Sequence, residues 1–436
     1  MKPSYFNVFI NEFPNEDEVL VYNARTQAMG VFDTGFAVLL EKFKGKSIEL
    51  NQSKYQELIN EGFCVEDIVE EEQILSDWFK ENSNDNKEMN VTLLTTYNCN
   101  FGCPYCFEKN IKNKSVEMDK DTKANICDWI IKKIRERKIK KLNIFFYGGE
   151  PLLRKEVIHD IASRFFTESK KLGFEFKFGI VTNGYLINRE DTMKFREYGL
   201  DFYRITLDGS EKWHDSSRFL RNGNPTFNRI MENIKNETED VKILLSGNFT
   251  KETMPGFSDL IDFLNNNNLN KKIHSIDFSP IMNTEAIGCN SFHDACFKNM
   301  DEVYEISRLL EEEISNKGFK KSRVDIAMQR CPFKIKDTSV TIAPDGDIYK
   351  CPATVGKKEF RVGNAAFLNL NQLNSYILGR EIWRDCFPCS YLPICSAGCY
   401  FKAHVEKGNM FAIDCPKREF ELTLPNQIKA KYNELL

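Results

Sequence analysis

Val91-Thr92-Leu93-Leu94-Thr95-Thr96 leads within a few residues into Cys99-Asn100-Phe101-Gly102-Cys103-Pro104-Tyr105-Cys106. A β-like segment thus empties into a loop with three cysteines at C-x₃-C-x₂-C spacing. Three thiolates on one short loop can hold three irons of a [4Fe–4S] cube and leave the fourth iron without a protein ligand. An electron-transfer ferredoxin would add a fourth cysteine close by. Here none follows until Cys127, which lies inside a helical pattern. Zinc is the competing reading, but it wants a fourth Cys or His ligand, and no histidine lies between residues 1 and 158. An open iron implies that a substrate or cofactor binds there.

Outward from this loop, strand and helix patterns alternate from residue 90 to about 318. Strands are expected at Val91–Thr96, Leu142–Tyr147, Phe176–Thr182, Phe202–Leu207, Val241–Gly247 and Ile273–Pro280. Helices are expected at Lys120–Lys138, Lys155–Leu172, Arg189–Tyr198, Phe227–Asn236, Phe257–Asn266 and Asp294–Ser315. Six βα units imply an α/β fold with a parallel, barrel-like sheet, open as a (β/α)₆ partial barrel. Chemistry in such folds collects at the carboxyl ends of the strands. The cysteine loop, Gly148-Gly149-Glu150-Pro151, Thr182-Asn183-Gly184 and Thr206-Leu207-Asp208-Gly209 all fall at such ends.

Residues 1–80 read as a small α+β domain. Strands are expected at Tyr5–Phe13, Glu18–Asn23 and Ala28–Phe32, then helices at Thr34–Lys44 and around Ser53–Gly62. Residues 81–89 have the polar, aromatic-free composition of a linker. Residues 319–436 turn to prolines, turns and cysteines, with Pro344-Asp345-Gly346 as a hairpin signal. A region this poor in apolar residues calls for metal staples.

The bulk numbers exclude several classes. The chain has 436 residues, with Lys+Arg 60 against Asp+Glu 64, a net charge of −4. No basic field marks it for nucleic acid. The N-terminus lacks a signal-peptide pattern and no window approaches ~18 apolar residues. A cytoplasmic protein without a membrane or nucleic-acid partner is expected. Fourteen cysteines in a reducing compartment point to metal rather than disulfides, since ten of them are clustered. Cys64, Cys127, Cys289 and Cys296 are scattered and read as small apolar residues.

The C-terminal seven follow a definite spacing. Cys331 precedes Gly346 by fourteen intervening residues, and four more separate Gly346 from Cys351. Then come Cys386-x₂-Cys389-x₅-Cys395-x₃-Cys399, and finally Cys415. Zinc ribbons also use paired cysteines, but seven thiols are an awkward set for two four-thiolate sites.

The cysteine loop, the Gly-Gly-Glu-Pro turn and the Thr206-Leu207-Asp208-Gly209…His214-Asp215…Arg218 string together resemble the radical S-adenosylmethionine (radical SAM) enzymes. The C-terminal cysteines resemble the SPASM extension of that family. The resemblance implies that the open iron binds S-adenosylmethionine, whose reductive cleavage yields a 5′-deoxyadenosyl radical. It implies that Tyr105 packs near the adenine, that Gly148, Gly149 and Glu150 meet the methionine amino group, that Thr206 faces the ribose or carboxylate, and that Arg218 pairs with the carboxylate. His214 reads as structural. By the same resemblance three [4Fe–4S] clusters are expected. Cys99, Cys103 and Cys106 serve the first, Cys331, Cys351 and Cys399 an inner auxiliary cluster, and Cys386, Cys389, Cys395 and Cys415 an outer one.

Residues 1–80 resemble the winged-helix-like peptide-recognition elements of peptide-modifying enzymes; a β-rich cap is the other reading. The resemblance implies a maturase of ribosomally made peptides (RiPPs) that forms a cross-link, a Cys thioether above all. Its partners are a precursor peptide and an electron donor such as flavodoxin or ferredoxin. An anaerobic sulfatase maturase is the alternative, as is a maturase that epimerises or forms C–C links. The sulfatase enzymes carry an acidic residue directly after the equivalent of Cys351, where this chain has Pro352.

Overall fold

The computed structural model describes residues 1–49, 56–84, 87–106, 108, 111, 116–237, 240–281, 297, 300–320, 331–367, 369–370 and 372–435. Cys289 and Cys296, and the starts of the helices expected at Ser53 and Asp294, lie outside them. The chain divides into two compact units: Asp85–Ser322 with Pro332–Gly379, and Met1–Asn84 with Arg323–Cys331 and Arg380–Leu436.

The first unit is an α/β structure around a mostly parallel sheet. Its strands are β1 (Glu88–Leu94), β2 (Lys141–Tyr147), β3 (Glu175–Thr182), β4 (Leu200–Thr206), β5 (Lys242–Phe249) and β6 (Ile273–Pro280). They lie side by side in the order β6-β5-β4-β3-β2-β1, every neighbouring pair parallel. Helices α1 (Lys120–Arg137), α2 (Lys155–Leu172), α3 (Arg189–Glu197), α4 (Glu211–Ser217), α5 (Phe227–Asn236), α6 (Pro255–Asn266) and α7 (Met300–Asn316) fill the connections. Only α4 is absent from the sequence expectation; it occupies the stretch holding His214-Asp215.

Alternation places Leu142, Ile144 and Phe146 of β2 in the core, while α2 buries Val157, Ile158, Ile161, Ala162 and Phe165 on one face. These are the period-2 and period-3.6 patterns that build a sheet covered by helices.

The sheet does not end at β1. Strand β7 (Ser339–Ile342) pairs parallel to β1, with Val340 opposite Val91. The Asp345-Gly346 turn then returns the chain as β8 (Asp347–Tyr349), antiparallel to β7. The hairpin expected in the C-terminal region therefore continues the barrel sheet, which Gly363–Asn364 and Asn369–Leu370 extend further, and Cys351 comes two residues after it. Buried Asp337 joins this edge to α1 through Lys133 (3.3 Å) and Arg137 (3.1 Å).

In the second unit, Asn7–Asn11, Glu18–Asn23 and Met29–Asp33 form an antiparallel sheet with Glu18–Asn23 in the middle. That strand is buried on both sides. Val19 and Val21 pack with Ala37, Leu40, Leu58 and Phe63, whereas Leu20 and Tyr22 join a core with Leu75, Phe79, Trp383, Leu392, Phe420 and Leu424. The two chain ends thus share one core. Residues 81–83, expected as linker, instead finish the helix Glu71–Ser83. Its polar end is stable because side chains satisfy the last carbonyls: Asn82 Nδ2 donates to Trp78 O (2.8 Å) and Ser83 Oγ to Phe79 O (2.7 Å). No helix among the described residues is long and apolar enough to cross a membrane.

Candidate active site

The cysteine loop leaves the carboxyl end of β1 and is held by the backbone of residues 219–221. Gly102 N donates to Phe219 O (2.9 Å), Arg221 N to Asn100 O (3.0 Å), and Phe101 bridges Leu220. Cys99, Cys103 and Cys106 are half-buried and in no disulfide. Burial pushes the Cys99 thiol up to about 12. A metal centre reverses that preference, because a coordinating thiol is deprotonated outright.

The Gly148-Gly149 turn meets this loop from β2. A Cβ on Gly149 would stand 2.0 Å from Asn98 O, and one on Gly148 would stand 2.6 Å from Leu94 Cγ. Both glycines have positive φ, +84° and +40°. Their small size therefore serves the protein's own cysteine loop, which they approach closely. The Gly149 amide donates to Glu108 (2.6 Å) and the Glu150 amide to Asn98 O (2.8 Å).

Glu150 is fully buried. Its carboxylate accepts from Thr182 Oγ1 (2.7 Å), Asn183 N (2.7 Å) and Leu152 N (3.0 Å). It ties the end of β2 to the end of β3, and burial holds its pKa above the usual carboxylate value. Asn183 carries the link onward, with Nδ2 donating to Asn100 Oδ1 (2.7 Å) and lying 3.8 Å from Cys99 Sγ.

Beyond β4, three side chains converge. The Tyr105 hydroxyl donates to Asp208, and Arg218 Nη1 donates to Tyr105 Oη (2.6 Å) with Asp208 Oδ2 at 3.7 Å. Asp208 also accepts from Asn248 N (2.8 Å) on β5, and Arg218 lies 5.8 Å from the Phe101 ring centroid. Thr206 stands at the end of β4 with its hydroxyl 3.3 Å from Ser246 Oγ. His214 is buried, its Nδ1 accepting from Asp208 N (3.2 Å) and its Nε2 3.1 Å from Thr226 Oγ1. That arrangement is the structural role expected of it.

Asn100, Glu108, Asn183 and Asp208 form the connecting polar groups, and Asn183 and Asp208 stood out in the sequence at the ends of their strands. Asn100 lies between two predicted ligands, the one signal available for it. Glu108 is brought in by tertiary packing.

Two observations test the site against an iron–sulfur cube with an anionic organic ligand. The donor set is three thiols on one loop, none in a disulfide. Beside them, Asn100 Nδ2 and Arg218 Nε are buried donors without a partner among the described residues, and unmet buried donors are costly. An anionic group would satisfy them, so the residues fit. Tyr147, the last residue of β2, senses Glu108, Cys106 and Cys351; with burial as the main cause, they push its phenol pKa up. Cys351 therefore shares the electrostatic surroundings of the cysteine loop.

In the other unit, Cys386, Cys389, Cys395 and Cys415 line one cavity of about 640 Å³. Burial and then the three neighbouring thiols push Cys386 up to about 11. Cys331 and Cys399 belong to this unit as well, and burial with Cys331 nearby raises the Tyr400 pKa. No described cysteine is in a disulfide. Among the described residues no three His, Cys, Asp or Glu donors converge closely enough for a single metal ion. A cube spreads its thiolates over separate irons and needs no such convergence.

A cysteine-type anaerobic sulfatase-maturating enzyme of Clostridium novyi is 27% identical over 333 residues, covering 69% of this chain and 85% of that protein. The radical SAM cyclopropyl synthase TigE of Paramaledivibacter caminithermalis is 22% identical over 358 residues, covering 74% and 70%. Among solved structures, anSMEcpe with bound AdoMet shares the fold at a TM-score of 0.58 and 16% identity, over 79% of this chain and 96% of that one. Streptococcus suis SuiB bound to S-adenosylmethionine does so at 0.54 and 16%, over 95% and 98%. Residues 93–264, which hold the cysteine loop, the glycine turn and the Tyr105–Asp208–Arg218 cluster, match the radical SAM superfamily, and the chain carries a radical SAM domain.

Proposed function

We propose that this maturase-type enzyme joins a cysteine sulfur of a ribosomally made peptide to a carbon of the same peptide. The C-terminal cysteines carry the reading. Four of them share one cavity, enough to close a cube, and Cys331, Cys351 and Cys399 are left. Three thiolates leave an iron open. An open iron would act as a Lewis acid toward a substrate thiol, which gives up its proton there; the radical takes one hydrogen atom from carbon, and the electron released as the C–S bond forms would pass to the oxidised auxiliary cluster.

S-adenosylmethionine, when bound, supplies a carbon radical that abstracts hydrogen. The chain's own residues orient it and keep water out. Cys99, Cys103 and Cys106 hold the first cluster; Asn100 Nδ2 and Arg218 Nε, both without a partner among the described residues, offer hydrogen bonds to the cofactor carboxylate. Tyr105, fixed between Asp208 and Arg218, walls the nucleoside side, and Thr206 faces the same space. The carbonyls of Gly148 and Gly149 are what the turn offers the amino group, since Glu150 itself is enclosed.

Residues 1–80, a winged-helix-like recognition element on this reading, hold the leader of the precursor, and residues 319–436 are a SPASM extension. SuiB, described bound to precursor peptide SuiA, supports this by matching 95% of the chain. Flavodoxin or ferredoxin supplies the electron. The sulfatase-maturase reading is favoured by the Clostridium novyi relative, but Pro352 opens a short 3₁₀ turn where a base is required.

Anaerobic reconstitution tests the proposal. About twelve irons (three cubes), 5′-deoxyadenosine, and a Cys-containing precursor peptide lighter by two hydrogens are expected. Conversion of a sulfatase peptide thiol to an aldehyde would transfer the assignment to the alternative. Absence of cofactor cleavage would refute both.

A further inference from the structure

The N-terminal sheet forms one wall of the four-cysteine cavity, and it brings a cation there. Lys44, just past the helix Thr34–Lys42, lines the cavity with Asn7, Val8 and Phe9. Its Nζ donates to Asn7 O (2.7 Å) and to Ser390 Oγ (3.0 Å), and lies 4.9 Å from the Phe9 ring centroid. Ser390 directly follows Cys389 and donates in turn to Tyr5 O (2.8 Å). The other charged residues lining the cavity, Glu41, Asp385, Lys417 and Glu421, are exposed, while Lys44 is half-buried. Solvent and salt screen exposed charges. A half-buried ammonium fixed by two acceptors and a ring keeps its field.

We propose that Lys44 is a positioning residue whose charge sets the reduction potential of the outer auxiliary cluster. The proposal rests on the reading that Cys386, Cys389, Cys395 and Cys415 hold a [4Fe–4S] cube. Such a cube with four thiolates is negative and gains one further negative charge on reduction. A nearby cation favours the reduced state and raises the potential, since net charge and hydrogen bonding around the sulfurs are what tune these centres. The domain read as the peptide-binding element thereby contributes to the electronics of the cluster farthest along the chain.

Redox titration of the reconstituted full-length protein, followed by electron paramagnetic resonance, tests this. Lys44→Met keeps the full iron count, but its outer cluster shows about a tenfold lower reduced-to-oxidised ratio at fixed poise, ~59 mV for a one-electron couple. Lys44→Arg stays at the unsubstituted value. Ser390→Ala, which frees the ammonium without removing it, shifts the potential less in the same direction and serves if Lys44→Met fails to fold.

An unchanged outer-cluster potential in the Met and Ala variants overturns the proposal. So does an equal shift of all clusters, or loss of about four irons in Lys44→Met, which would make Lys44 structural. A Cys386→Ala, Cys389→Ala double variant that loses no iron instead refutes the cluster reading itself, a separate failure.

Discussion

The two cysteine groups are built on opposite principles. The loop at Cys99 to Cys106 sits among buried polar groups, pinned by backbone bonds to residues 219–221, with three thiols and, beside them, two donors that have no partner among the described residues. The group at Cys386 to Cys415 has four thiols around one cavity. It packs against an apolar core in which Phe6 and Phe387 rings meet at 6.4 Å. A centre that must bind a small charged ligand needs a vacant iron and unsatisfied donors. A centre that only passes electrons is better closed by its own thiolates and shielded. The comparison teaches that ligand number and the polarity of the surroundings vary together.

The largest expected difference comes from removing one thiol from each group. Cys103→Ala abolishes 5′-deoxyadenosine formation, whereas Cys389→Ala loses about four irons yet still cleaves S-adenosylmethionine. Iron analysis with product chromatography reads both. Equal loss of cleavage in the two variants would erase the distinction.

Next in size is the buried charge at the first site. Asp208→Asn leaves Arg218 without its carboxylate, and breaking a buried pair costs about 3 kcal/mol or more. Urea unfolding should show the loss as a lower midpoint, and an unchanged midpoint would show that Tyr105 alone satisfies Arg218.

The smallest effect is pH-dependent. Burial, then Arg218, holds the His214 pKa well below 6.5, so the unfolded chain binds a proton that the folded one refuses. Stability is complete above about pH 6.5 and falls as pH drops below it, by up to ~1.4 kcal/mol per pH unit. His214→Gln flattens that acid-side slope in pH-dependent thermal denaturation; a persisting slope would place the proton elsewhere.

Much of the first site is legible in the sequence because it is local. The three cysteines and Tyr105 share eight residues, and the glycine turn and Asp208 fall at strand ends that alternation locates. Other features are not local. The helix Glu71–Ser83 was hidden by its polar surface and is held by Leu75 and Phe79 against Trp383, about three hundred residues away in sequence. Likewise Glu150, expected to meet an amino group, is enclosed by Thr182 and Asn183 at the end of the next strand.

By itself the sequence determines the cysteine spacing and the order of βα units, because residue spacing and hydrophobic period are properties of neighbouring residues. Tertiary structure alone decides that β7 extends the barrel sheet beside β1. It also decides that both chain ends share one core, and that Lys44 lies at the wall of the four-cysteine cavity. These depend on which apolar faces find one another across hundreds of residues, and local periodicity shows that a face needs a partner without saying which one it takes.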